Sequence, residues 1–357
     1  MAINRVSNIV RFVEGYRQGL WYIGIDVHKK SWSVALLRPD GEILTFVRSP
    51  GVAGFIRELK RLEIAIGKIC YEAGPTGFWL VRGMKKAGFH VILAAPSRIP
   101  RQVSPGAKTD RLDCRKLANF AKTGLLRSIA IPSEEEEAFR GLVRRRNRTV
   151  DSLRKTKQRI RSLLLLLGIT EPDGIDSWSK KAVETLSLLK LDPAARDILD
   201  SLVRELDFIN GELRLLRERM EFHASKVCGE ERMKRLRSQE GVGVVVSTAF
   251  AAEIFHPERF QNSGQVTSYL GLAPMVRQSG EQKGRGKLPP VGQQRLRSLL
   301  IEAAWGWIGK DTSARDYYRR ILGQTGLSQK AIVAVARKLA VRLWYRSIGV
   351  PLAAKVA

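Results

Sequence analysis

The chain has 357 residues, 44% of them hydrophobic, which is enough for two or three domains with sizeable cores. Its 62 Lys plus Arg against 35 Asp plus Glu leave a formal net charge of +27. Such a field favours a polyanion, with nucleic acid expected ahead of a ribosomal or membrane surface. Residues 1–20 predict a short helical extension. Arg5, Arg11, Glu14 and Arg17 leave no long apolar core there, so no secretory signal is expected. From residue 21 to 132 the pattern is α/β. Tyr22-Ile23-Gly24-Ile25-Asp26-Val27 reads as an apolar strand closing on an acid. Strands at 32–37 and 43–46 follow, joined by the turn Pro39-Asp40-Gly41, so three strands run as a meander. A helix at 52–62 leads to a buried strand at 68–71 that ends at Glu72. A helix at 76–87, a strand at 90–94 and a helix at 109–122 complete the unit. Three antiparallel strands followed by two strand–helix alternations is the order of a ribonuclease-H-like (RuvC-like) mixed-sheet domain.

Between residues 133 and 226 the period becomes seven. Phe139, Val143, Arg146, Val150, Leu153, Lys157, Ile160 and Leu164 alternate at spacings of four and three, a coiled-coil seam with two basic interruptions. Ser133 before Glu134-Glu135-Glu136-Glu137 marks its start as an N-cap followed by first-turn acids. A second seam runs Leu199, Leu202, Leu206, Ile209, Leu213, Leu216, Met220. Gly168, Pro172, Gly174 and Pro193 break the connector, so a helical hairpin and pairing between subunits both fit. The first helix carries ten Lys/Arg between 140 and 161 against one acid, Asp151. Either a solvated face or a nucleic-acid-facing helix that includes Arg144, Arg145, Arg148, Lys155 and Arg159 accounts for that run. Residues 227–357 predict a mainly helical, glycine-punctuated domain, giving an α/β plus α chain. The longest apolar runs, 163–167 and 331–336, are far short of a membrane span. Cys70, Cys114 and Cys228 make neither a disulfide framework nor a zinc pattern, which suits a reducing, cytoplasmic setting.

In a ribonuclease-H-like sheet the ends of the first and fourth strands are neighbours, and Asp26 and Glu72 occupy them. Asp110 and Asp113 are three apart on a predicted helix and share one face. Four gathered acids repel one another unless a hard divalent cation, Mg²⁺ or Mn²⁺, neutralises them. Two such ions serve phosphodiester cleavage by activating the attacking oxygen and stabilising the leaving one. Each acid alone also suits a duller role, as a strand cap, a lysine partner or an N-cap. His28 either reaches this site or flanks the strand.

Gly24-Ile25-Asp26-Val27-His28-Lys29, Tyr71-Glu72-Ala73-Gly74-Pro75-Thr76-Gly77 and the run from Lys108 through Asp110 and Asp113 to Ala118 together resemble the amino-terminal domain of DEDD transposases of the insertion-sequence 110 family. Gly241-Val242-Gly243, Arg259-Phe260, Tyr269-Leu270-Gly271-Leu272-Ala273-Pro274, Gln278-Ser279-Gly280 and Leu296-Arg297 through Glu302-Ala303-Ala304-Trp305 resemble that family's carboxyl-terminal transposase domain. Gly292-Gln293 departs from the Gly-Asn often found there. The resemblance spans nearly everything from 22 to 349. It implies cut-and-rejoin DNA recombination at the four acids, and a nucleophilic role for Ser279. It further implies a bridge RNA that pairs with donor and target DNA, and a dimer that assembles into a synaptic tetramer in a nucleoid-associated setting.

From the residues alone, the loop with Ser279 among Arg277, Lys283, Arg285 and Lys287, and with Arg297 beyond it, reads equally as a basic DNA-holding loop. Gly241-Val242-Gly243 reads as a phosphate-gripping turn or a plain interhelical turn. Two rivals stand beside strand transfer. One is a water-using, metal-dependent nuclease or junction resolvase that needs the acids and not Ser279. The other is a non-catalytic nucleic-acid scaffold indifferent to Mg²⁺. The expected parts are an extension (1–20), the acid-bearing domain (21–132), the coiled-coil region (133–226) and the serine-bearing domain (227–357).

Overall fold

A computed structural model describes residues 2–100, 110–274, 278–279, 282–283, 288–289 and 292–350, with backbone only at 2–7, 110–112, 278–279 and 282–283. Two compact units divide at Pro132 and Ser133.

The first unit runs α1 (Ala2–Glu14), β1 (Trp21–Val27), β2 (Trp32–Leu37), β3 (Ile43–Arg48), α2 (Val52–Arg61), β4 (Ile66–Glu72), α3 (Trp79–Lys86), β5 (Val91–Ala94) and α4 (Asp110–Thr123). Its five-stranded sheet has the order β3-β2-β1-β4-β5, with β1–β2 and β2–β3 antiparallel and β1–β4 and β4–β5 parallel. This mixed sheet is compatible with the ribonuclease-H-like expectation. The meander closes where the sequence placed its turn, with Gly41 at φ +106. Helix α3 begins at Trp79, three residues later than the pattern predicts. Gly77 at φ +71 holds the preceding segment in a turn that a helix cannot continue through.

One sheet face buries Trp21, Ile23, Ile25, Trp32, Val34 and Leu36 with Phe55, Leu80 and Met84. Val13 of α1 is buried in this core and Phe12 packs edge-on to Trp21, so the amino-terminal helix is part of the unit. The other face carries α4, with Cys114 and Ala118 buried beside Ala35 and Leu37.

The second unit runs α5 (Glu134–Leu166), α6 (Lys180–Leu188), α7 (Pro193–Cys228), α8 (Glu230–Arg237), α9 (Val244–Glu253), α10 (Ser263–Tyr269), β6 (Gln278–Ser279), β7 (Gln282–Lys283), α11 (Gln294–Lys310), α12 (Thr312–Thr325) and α13 (Ser328–Ile348). Helices α5 and α7 pack along one another within the chain. A full capping box starts α5: Ser133 Oγ accepts from the Glu136 N–H at 3.1 Å, and the Ser133 N–H donates to Glu136 at 2.8 Å. The seam residues Ile160, Leu164, Leu199 and Leu206 share a core with Ala182 and Leu186 of α6. Phe139, Val143 and Met220 instead join the larger core of α8 to α13, around Phe250, Trp307 and Leu339. Among the described residues no helix is long and apolar enough to cross a membrane.

Candidate active site and nucleic-acid interface

Parallel pairing of β1 with β4 ends at Ile25 opposite Tyr71. Asp26 and Glu72 are each the next residue, so two acids leave adjacent strands side by side at the same end. Asp26 is half-buried, with its Oδ2 3.0 Å from His28 Nε2. Glu72 is exposed.

Helix α4 lies directly on β1. A Cβ at Gly24 would fall 1.9 Å from the Cys114 carbonyl oxygen and 2.5 Å from the Ala118 amide nitrogen, so only glycine lets the two backbones touch. Asp26 is two residues along β1 from this contact, and therefore on the same sheet face. Asp113 is next to Cys114, and Asp110 opens the helix one turn earlier. Burial pushes the Cys114 thiol up to about 11, and the Asp26 carboxylate adds to the rise, which places that charge close to the same helix. Asp113 has Lys116 Nζ at 4.0 Å. The side chain of Asp110 lies outside the described residues.

In the second unit, β6 and β7 pair antiparallel, Gln278 opposite Lys283 and Ser279 opposite Gln282. The side chains of Ser279 and Lys283, and all of Arg277, Arg285 and Lys287, lie outside the described residues. The stems of this loop are tied together. Arg297 Nη1 donates to the carbonyls of Gly271 and Pro289, both at 3.0 Å. Gly292, at φ +95, comes so near Gly271 that a Cβ there would lie 2.7 Å from the Gly271 nitrogen. Gln293 Nε2 donates to Tyr269 Oη at 3.4 Å, and that hydroxyl donates to the Glu253 carbonyl at 3.3 Å.

Known proteins resemble this chain in sequence across both units. The family model described as Transposase IS116/IS110/IS902 family matches residues 233–319. A second model, for DEDD transposases of the IS110 group and described as Transposase, matches 23–169. A Sinorhizobium fredii protein named as a transposase, y4qE, is 31% identical over 94% of this chain and 90% of its own length. The chain belongs to the IS116/IS110/IS902 transposase family. The transposase for insertion sequence element IS1533 of Leptospira borgpetersenii is 28% identical over 90% of this chain and 94% of its own. That for IS1111A of Coxiella burnetii is 24% identical over 90% and 88%.

Membership makes this a DNA-processing transposase whose DEDD domain implies a divalent metal. The donors fit a hard cation: Asp26, Glu72 and Asp113 offer carboxylate oxygens. Cys70 and Cys114 are buried, with their thiols pushed up to about 12 and about 11, and are poor competitors. Among the described residues no three metal-ligating side chains are gathered into a closed site. The carboxylates expected from the sequence stand on β1, β4 and α4, three elements that pack together within the first unit.

On α5 of the transposase, Arg145, Arg148 and Lys155 are exposed, while Arg159 lies 3.4 Å from Glu205. Arg144 is committed to Glu253, a carboxylate that sequence reasoning missed. Arg144 Nε and Arg140 Nη2 each donate to it at 3.0 Å. Burial alone would raise the Glu253 pKa; Arg140 and Arg144 outweigh it and hold the carboxyl below its usual range. Its only signal in the sequence is a lone acid closing an otherwise apolar helix. Gly241, at φ +78, packs against α11, where a Cβ would lie 2.6 Å from the Ala303 carbonyl oxygen, so this turn serves helix packing.

Proposed function

We propose that this transposase cuts and rejoins DNA with two sets of groups, the acids Asp26, Glu72, Asp110 and Asp113 and the hydroxyl of Ser279. The observation that carries the first half is the emergence of Asp26 and Glu72 from adjacent parallel strands beneath a helix pinned to β1 at Gly24. The ribonuclease-H-like reading of the sheet and the four-part division of the chain belong to the same proposal. The four acids would hold Mg²⁺ or Mn²⁺, which supplies charge neutralisation and Lewis acidity at a phosphodiester. His28, 3.0 Å from Asp26, orients that carboxylate and limits its rotation.

In the cutting step Ser279 Oγ attacks the scissile phosphorus. The Oγ–P bond forms, the P–O3′ bond breaks, the hydroxyl proton passes to solvent or base, and the 3′ oxygen leaves and takes up a proton. The number of phosphate ester bonds is unchanged. Attack by another strand's 3′-hydroxyl on the same phosphorus then rejoins DNA and releases Ser279 without an external energy source. Arg277, Lys283, Arg285 and Lys287 around the serine, with Arg145, Arg148 and Lys155 on α5, are the proposed phosphate contacts. Arg297, Arg144 and Arg159 contribute chiefly by positioning, since their guanidiniums already engage protein oxygens. Guidance by a bridge RNA, a synaptic tetramer and a cytoplasmic, nucleoid-associated location are supported by the family resemblance.

The test mixes purified protein with RNA transcribed from the element's flank, DNA carrying the element junction, and Mg²⁺, then denatures the mixture. Protein attached covalently to a DNA end, lost in Ser279→Ala, is the expected result. Cleavage without an adduct, unchanged in Ser279→Ala, would replace this mechanism with hydrolysis by water.

A further inference from the structure

The two basic interruptions of the α5 seam, Arg146 and Lys157, face structure that the catalytic reading does not use. Arg146 opens into a cleft of about 640 Å³ between α5, α7, the start of α6 and the start of α9. This is within the range of small-ligand clefts, about 300–1,000 Å³. Its walls include Arg146, Arg214, Arg217, Lys180, Trp178 and Asn210. Two acids, Glu184 and Asp207, also line it, so four cations meet two carboxylates.

Among the described residues none of these four cations has an ion pair or a side-chain hydrogen bond, whereas Arg140, Arg144, Arg159 and Arg161 on the same helix all do. Arg146 is half-buried. Burial depresses its pKa, the Glu302 carboxylate opposes that without reversing it, and the like charge of Arg217 adds a smaller depression. Arg217, Arg214 and Lys180 are exposed, so the cleft presents more positive than negative charge to an incoming phosphate.

Beside them stands Trp178, held at φ +56, a conformation uncommon for any residue but glycine. The turn that fixes it is tight: the Trp178 N–H donates to the Ile175 carbonyl at 3.2 Å and the Ser179 N–H to the Gly174 carbonyl at 3.3 Å. Lys157 Nζ sits 5.1 Å from the centre of its ring. An aromatic ring set in an unfavourable backbone conformation beside unpaired arginines combines a stacking surface with a phosphate site.

We propose that this cleft takes one unpaired nucleotide of a single-stranded nucleic acid, with its phosphate between Arg146 and Arg217 and its base against Trp178 within reach of the Asn210 amide. A duplex keeps its bases stacked inside and offers the cleft only phosphate. The inference rests on the nucleic-acid reading for its partner, but not on the catalytic one.

The experiment measures fluorescence anisotropy of labelled ten-nucleotide DNA and RNA strands, and of a duplex of equal length, with the full chain and no divalent metal. Trp178→Leu should weaken single-strand binding at least about fivefold while leaving duplex binding within about twofold. Arg146→Gln with Arg217→Gln should weaken single-strand binding and flatten its salt dependence. Photo-crosslinking of halouracil-substituted strands to the wild-type protein, followed by peptide mapping, should place the adduct on the peptide containing Trp178, which keeps the test decisive if Trp178→Leu fails to fold. A preference between DNA and RNA strands identifies the source of the nucleotide, and either supports the site. Equal loss of single-strand and duplex binding in Trp178→Leu, or crosslinks only elsewhere, overturns it. Because no metal is present, failure here leaves the cleavage proposal standing, and loss of cleavage with this binding intact leaves this inference standing.

Discussion

Gly24→Ala is the sharpest test of the way the carboxylates are brought together. The added Cβ would sit 1.9 Å from the Cys114 carbonyl oxygen, where real Cβ atoms essentially never come within 3.0 Å. Both partners are backbone atoms, so no side chain can swing aside. Helix α4 must therefore retreat from β1 by about 1 Å or tilt, carrying Asp110 and Asp113 away from Asp26. A misplacement of about 1 Å costs a reaction about 100-fold. Overpacking of this size costs about 1–3 kcal/mol of stability, which leaves a domain of this size folded. The expected outcome is single-turnover Mg²⁺-dependent cleavage of junction DNA lowered about 100-fold. Thermal unfolding followed by circular dichroism should still be cooperative, and Mn²⁺ binding by calorimetry weaker. Gly141→Ala is the control: a Cβ there meets nothing within 4 Å, and a mid-helix alanine should raise stability by about 0.5–1 kcal/mol. Gly24→Ala protein that cleaves at the wild-type rate would refute the claim that the α4–β1 contact sets the site.

Asp26→Asn should abolish Mg²⁺-dependent cleavage while leaving the unfolding temperature unchanged or higher, because it relieves repulsion among acids; residual cleavage near the wild-type rate would remove Asp26 from the reaction. Glu253→Gln leaves Arg140 and Arg144 facing a neutral amide in a buried site and should cost about 3–5 kcal/mol, measured by urea unfolding. Because the pKa of Glu253 is lowered on folding, its contribution is present above the unfolded carboxylate value of about 4.3 and is lost as pH falls through the folded value. Asp311 caps α12, accepting from Ser313 Oγ at 2.7 Å, the Ala314 N–H at 2.9 Å and Trp307 Nε1 at 3.0 Å. Burial would raise its pKa, but these bonds and Arg342 lower it to about 2. Asp311→Ala should cost about 1–2 kcal/mol at pH 7, and the difference from wild type should shrink as pH falls below about 4 and through the folded value of about 2; a difference at pH 2 as large as at pH 7 would mean the loss is of packing. Arg297→Ala should reduce strand transfer while sparing the amino-terminal unit, seen as unchanged Mn²⁺ binding.

Sheet and meander were legible because their signals are local. Period-two strands, the Pro39-Asp40-Gly41 turn and an acid closing each of two buried strands all fall within a few residues of one another. The same locality explains why the two long helices were visible and the helix between them was not. Helix α6 is nine residues long, preceded by Gly168, Pro172 and Gly174, and marked only by Ser179, whose Oγ accepts from the Ala182 N–H at 3.1 Å. Its amphipathic face means something only once Leu186 and Leu199 share a core.

The features that position functional groups were the least legible, because each pairs residues far apart in the chain. Gly24 looks like an ordinary strand residue until Cys114 is set against it. Glu253 looks like a misplaced charge until Arg140 and Arg144 arrive from α5, more than a hundred residues earlier. A local rule being broken is nevertheless visible in one dimension: a glycine within an apolar strand, an acid ending an apolar helix, two cations in an apolar seam. Each breach is unfavourable alone and is stabilised by a partner from elsewhere, so each marks a place where tertiary structure has determined the residue. For Gly24 and Glu253 the partner lies within the chain. For Arg146 the described residues supply no hydrogen bond or ion pair, only the more distant Glu302 carboxylate, and the same reasoning that explains the first two points towards an anion from outside the protein for the third.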